Sequence, residues 1–170
     1  MPLSETGAWT FEGYASLFGR PDLGNDIVLP GAFAGSLARR GASGVKLLWQ
    51  HDPAEPIGVW DEIREDTRGL FVRGRLIPEL ARAREARALL KSGALDGLSI
   101  GFRTEKARTD PRRGVRELMA VDLWEISLVT FPLLPEARVS AAKGTAPDDL
   151  DALVRMIRRG ALRLGSSFRP

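Results

Sequence analysis

Gly97-Leu98-Ser99-Ile100-Gly101-Phe102-Arg103 and Leu123-Trp124-Glu125-Ile126-Ser127-Leu128-Val129-Thr130-Phe131 both alternate, the period of a strand with one buried face. In the first run Leu98, Ile100 and Phe102 share a face, and Ser99 lies on the other between two glycines. In the second, Trp124, Ile126 and Leu128 are expected inward, leaving Glu125 and Ser127 opposite. If the two strands are neighbours, Ser99 and Glu125 come together on one outer face. The glycines beside Ser99 would then leave room for a peptide backbone to approach.

The rest of the chain reads in the same way. Residues 9–18 form a first strand, and 25–29 lead through Pro30-Gly31 to a short helix over 32–40, stopped by Gly41. Residues 45–50 form a strand that delivers His51 to the start of a loop. Residues 57–64 and 70–77 form a hairpin about Glu65-Asp66-Thr67-Arg68-Gly69. Pro78 opens a helix over 79–91 that Gly93 caps, and residues 115–129 supply one or two further strands. Residues 141–147 read as a linker, and 148–164 as an amphipathic helix. The expected architecture is mainly β with peripheral helices (α+β), an antiparallel barrel or sandwich. The expected organisation is a domain over residues 1–143, then a linker and C-terminal helix over 144–170.

Composition narrows the chemistry. The 170 residues include no cysteine and one histidine, which excludes disulfides and thiol nucleophiles and argues against a zinc hydrolase. No segment reaches the roughly 20 apolar residues of a membrane span, and the N-terminus lacks signal-peptide character. A net charge of +3 and aromatics at only 7% argue against a nucleic-acid-binding barrel with a stacking platform. Any imidazole chemistry passes through His51, the one side chain here with an ordinary pKa suited to a general base near neutrality. A serine hydroxyl needs such a base, and the base needs an acceptor to fix its tautomer. Ser99 is the candidate nucleophile and Glu125 the chosen third group; Asp52, Asp96 and Asp122 are further candidates. Taken singly, these residues also suit a non-catalytic barrel acting as a scaffold or interaction module, with His51 and Ser99 merely structural.

Five segments in order carry a resemblance. They are Gly13-Tyr14-Ala15-Ser16 with Phe18; Asp26-Ile27-Val28-Leu29-Pro30-Gly31-Ala32-Phe33; Leu48-Trp49-Gln50-His51-Asp52 with Pro56-Ile57-Gly58; and the two strands quoted first, the second extended to Pro132. From Trp9 to Lys143 the chain resembles the tailed-phage prohead (capsid maturation) serine proteases, relatives of the herpesvirus assemblins. The resemblance implies an assemblin-like β-barrel ringed by helices, with His51 as general base and Ser99 as nucleophile. Assemblins carry a second histidine where Glu125 stands here. The resemblance also implies no cofactor and no metal. It further implies the scaffolding portion of the major capsid protein as substrate, self-cleavage, a possible homodimer, and action inside a prohead assembling in the host cytoplasm. Phage, prophage and gene transfer agent copies share these features.

Overall fold

The computed structural model describes residues 9–144. Its strands are β1 (Trp9–Leu17), β2 (Asp26–Val28), β3 (Lys46–Trp49), β4 (Asp52–Glu65), β5 (Gly69–Leu76), β6 (Gly97–Asp110), β7 (Val115–Val129) and β8 (Val139–Gly144). Two helices, α1 (Ala34–Gly44) and α2 (Ala81–Ser92), complete the described elements. The strands belong to one sheet, ordered β2-β7-β3-β4-β5-β1-β8, with β6 on the other edge of β7. This curled half-barrel agrees with the strand-dominated class expected from the sequence.

The pairing departs from a purely antiparallel sheet. β2 and β3 both run parallel to β7, one beside residues 116–118 and the other beside 125–128. α1 connects them, as a parallel connection requires. The loop before it and its first turn also serve the stretch of β7 edge that neither strand covers: the Val121 N–H donates to the Ala32 carbonyl, and the Leu123 N–H to Ser36 Oγ at 2.8 Å. Backbone donors there would otherwise be buried without partners. The helix also runs past its expected stop, kinking at Gly41 and ending at Gly44. α2 does end as expected, with Gly93 in the left-handed conformation that a helix cap favours.

One further expectation is corrected. Residues 139–144 are a strand, not the start of a linker: β8 pairs antiparallel with β1. At the entry to β8, the Leu98 N–H donates to the Ala137 carbonyl and the Val139 N–H to the Asp96 carbonyl, so the far end of the sheet reaches back to the start of β6. The helix expected over 148–164 lies outside the described residues.

Leu47, Ile57, Leu70, Val72, Leu98, Leu118, Leu123, Ile126 and Leu128 fill the concave side of the sheet, with Phe33 contributed from the loop before α1. At about 25 cal/mol for each Å² of apolar surface removed from water, this core is the main stabilising term. It also fixes the register of β6 on β7. A slip by one residue would turn Leu98, Ile126 and Leu128 out to water and bring Ser99 and Glu125 into the core.

Candidate active site

β6 and β7 bring the two serine-bearing faces together. Ser99 lies directly across from Ser127, and Gly101 across from Glu125. One register shift matters here. Gly101 pairs with Glu125 but Phe102 pairs with Leu123, so Trp124 is the extra residue of a β-bulge. Trp124 is consequently about half exposed, which corrects its expected place on the inward face. Leu123 takes that place, fully buried with Ile126 and Leu128. Bulges bend a strand and re-aim its side chains, and this one immediately precedes Glu125.

Gly101 has a different purpose from the one its sequence suggested. A Cβ built on it would sit 2.1 Å from Glu125 Oε1 and 2.7 Å from Glu125 Cδ. The glutamate side chain therefore lies flat across the glycine. Gly97 is similarly occupied, since a Cβ there would meet the Val129 carbonyl oxygen at 2.5 Å and Pro132 Cδ at 2.8 Å. The space beside Ser99 is taken by the protein's own atoms, not held open for a peptide.

His51 arrives from the β3–β4 connection. Trp49 pairs with Asp52, so Gln50 and His51 are the two residues of a tight hairpin turn. Both have positive φ, 51° and 61°, a conformation favoured in such turns but sparsely populated by side chains other than Gly, Asn and Asp. Tertiary bonds hold it. The Gln50 N–H donates to the Leu128 carbonyl, Gln50 Nε2 donates to Thr130 Oγ1 at 2.8 Å, and the His51 N–H donates to Ser127 Oγ at 3.0 Å. Strain of this kind persists where its surroundings over-determine it.

The turn sets the imidazole against the carboxylate. His51 Nδ1 lies 2.5 Å from Glu125 Oε1. An ionised carboxylate can only accept, so Nδ1–H is the donor and Nε2 carries the free lone pair. Ser127 Oγ donates to the other carboxylate oxygen, Oε2, at 2.6 Å. The bond to Glu125 raises the His51 pKa above its ordinary value; partial burial opposes that, and the carboxylate's charge reinforces it. The His51 side chain remains 43% exposed while that of Glu125 is 13% exposed. The imidazole is thus reachable and its orienting carboxylate is shielded.

The other carboxylates are engaged elsewhere. Asp122 is buried and accepts two bonds from Arg40 Nη2 and one from Arg40 Nε, with Trp124 Nε1 donating at 2.7 Å. The Trp124 N–H is the main reason its carboxyl titrates below the ordinary range, with Arg40 and Arg103 adding to the effect and burial opposing it. Asp96 is ion-paired with Arg138, and Asp52 accepts from the Ala54 N–H within its own turn. Of the four candidates, Glu125 is the one bonded to His51.

Ser99 is buried, and it lines a narrow cleft with Ser16, Arg20, Asp22, Leu133 and Leu134. Among the described residues no hydrogen bond joins its hydroxyl to the His51 ring. The two groups are linked through Ser127, which faces Ser99 across the strands and bonds the His51 backbone. Catalytic hydrogen bonds in unliganded sites are often long and tighten only with substrate bound. Ser127 itself was not singled out by the sequence. Its parity with Glu125, two residues away on the same face, was the available signal. Among the described residues no group of three or more His, Cys, Asp or Glu could hold a metal ion.

The family described as caudovirus prohead serine protease matches residues 2–149. The prohead protease of Enterobacteria phage HK97 is 39% identical over 137 residues, covering 78% of this chain and 60% of that protein. The capsid polyprotein of Pseudomonas phage PAJU2 is 30% identical over 139 residues, covering 78% of this chain but only 20% of the polyprotein. This chain therefore spans less than two thirds of either relative. The capsid assembly protease of bacteriophage T4 has a similar fold, with a TM-score of 0.53 at 13% identity over 71% of this chain and 82% of that one.

Proposed function

The chain belongs to the caudovirus prohead serine protease family, and from this membership we propose that it is a serine endopeptidase of capsid maturation. Its substrates on this reading are the scaffolding portion of the major capsid protein and the protease chain itself, cut inside the assembling prohead. The observation that carries the reading is the Glu125–His51 pair at 2.5 Å, held on the face that Ser99 shares.

The chemistry is acyl transfer. Ser99 Oγ attacks the scissile carbonyl carbon as His51 Nε2 takes the hydroxyl proton. Glu125 stabilises the imidazolium and holds the tautomer that leaves Nε2 free. His51 then returns the proton to the leaving amine, and a water repeats the sequence on the acyl-enzyme. The carbonyl oxygen, now an oxyanion, needs donors that are already in position. Leu133 and Leu134 line the Ser99 cleft, and among the described residues neither backbone N–H donates a hydrogen bond. These two amides are the proposed donors. The step calls on no metal or cofactor.

Co-expression with the cognate major capsid protein, followed by mass mapping of new termini, tests the reading. The wild-type chain is expected to remove the scaffolding segment of the capsid protein, whereas the Ser99→Ala and His51→Ala variants leave it whole. Equal processing by a folded Ser99→Ala variant would overturn the assignment.

A further inference from the structure

We propose that Ser127 is a positioning residue for the His51–Glu125 pair, an assignment that rests on reading His51 as the general base. Ser127 is fully buried, and its one hydroxyl makes two bonds of different kinds. It accepts the His51 backbone N–H at 3.0 Å and donates to Glu125 Oε2 at 2.6 Å. With the bond from His51 Nδ1 to Glu125 Oε1, these close a ring of three hydrogen bonds through three residues. Because the hydroxyl accepts from the His51 N–H, its own proton is directed at the carboxylate.

The ring has two consequences. The Glu125 carboxylate is gripped at both oxygens, so it cannot rotate away from the imidazole without losing a charge-assisted bond. The His51 backbone, left-handed at φ 61°, is tied to the strand that carries Glu125. Backbone and side chain of the same histidine are thus fixed to one hydroxyl, directly in one case and through the carboxylate in the other. β7 is the rigid part of this arrangement: it is paired with β6 on one edge and with β3 on the other at this point. Ser99 lies across from Ser127 on β6, so the hydroxyl that sets the imidazole also lies opposite the nucleophile. A serine that merely fitted a tight sheet would need neither bond.

A single histidine makes the test direct, because every imidazole resonance belongs to His51. The full chain and its Ser127→Ala variant are compared in two ways. One is the saturation kinetics of Ser99 labelling by a fluorophosphonate; the other is the NMR of the His51 ring across pH. The limiting labelling rate is expected to fall about 10- to 100-fold, which is about 1.4 to 2.7 kcal/mol. The half-saturating probe concentration should stay within about twofold, because Ser127 touches no substrate. The Nδ1–H resonance should lose its downfield position, and the His51 titration should move down toward its ordinary value. Ser127→Cys, close in size but a weak donor, replaces Ser127→Ala if the latter does not fold, with the same shifts expected. An unchanged limiting rate and an unmoved His51 resonance would overturn the inference. If His51→Ala also labels at the wild-type rate, the fault lies with the general-base reading; if His51→Ala is inert, the inference about Ser127 alone is wrong.

Discussion

Replacing Gly101 with alanine perturbs the site while leaving the fold nearly untouched. The new Cβ would sit 2.1 Å from Glu125 Oε1, 2.7 Å from Cδ and 2.8 Å from Cγ, all side-chain atoms at the end of a flexible glutamate. The backbone has no reason to move, so the carboxylate swings away and gives up its bonds to His51 and Ser127. Stability falls: alanine recovers about 0.5–1 kcal/mol of the entropic cost of a glycine in a strand, less than the two lost hydrogen bonds to the carboxylate contributed. Catalysis loses the orienting carboxylate. A hydrogen bond to a charged group is worth about 1.5–3 kcal/mol, which at 1.36 kcal/mol per factor of ten is about a 10- to 150-fold slower reaction. Fluorophosphonate labelling measures the rate, a thermal melt the stability, and NMR the His51 titration. Rate, His51 pKa and Tm should fall together, with the protein still folded. A Gly101→Ala protein with wild-type labelling and an unshifted His51 would refute the role given to the Glu125 contact.

The same reasoning separates other variants. Gly97→Ala meets the Val129 carbonyl at 2.5 Å, and Pro132 besides, so backbone must move; it should destabilise by about 1–3 kcal/mol in a urea melt. His51 must be neutral to accept a proton, and its pKa lies above 6.5, so the acid limb of the labelling rate should have its midpoint above that value. Glu125→Gln, which removes the charge, should move that midpoint down and slow the reaction severely. The stability that the His51–Glu125 bond contributes has the opposite sign: it is fully present below pH 6.5 and is lost as pH rises through the raised pKa. Asp122→Asn should lower Tm, because Arg40 loses its ion-pair partner, yet leave labelling nearly unchanged; a severe loss of labelling would return Asp122 to consideration as the orienting carboxylate.

The strands were legible wherever one face is buried, because a period of two in Leu98, Ile100 and Ile126, Leu128 has no competing reading. β8 was not, since Val139-Ser140-Ala141-Ala142-Lys143 is short-chained and weakly alternating, and its pairing with β1 is a long-range fact. The parallel placement of β2 and β3 against β7 also depends on where the chain returns, which local patterning does not encode. Strict alternation turned Trp124 inward; a single extra residue shifted the pattern, and no glycine marked it. The identity of the candidate groups was readable from scarcity: one histidine, and a serine set off by two glycines. Their connection was not. Gly101 looked like an opening for substrate because a missing side chain does not say what fills its place. Ser127 looked like a neutral outer residue because serine's hydrogen bonds are set by tertiary neighbours.

The account stands on Ser99 as the attacking group, and mapping the covalent adduct of a fluorophosphonate in the folded chain tests it most directly. The account predicts phosphonylation of Ser99, absent from Ser99→Ala and strongly slowed in His51→Ala. Phosphonylation of Ser127 or another serine, or no adduct in a preparation that processes capsid protein, would contradict it.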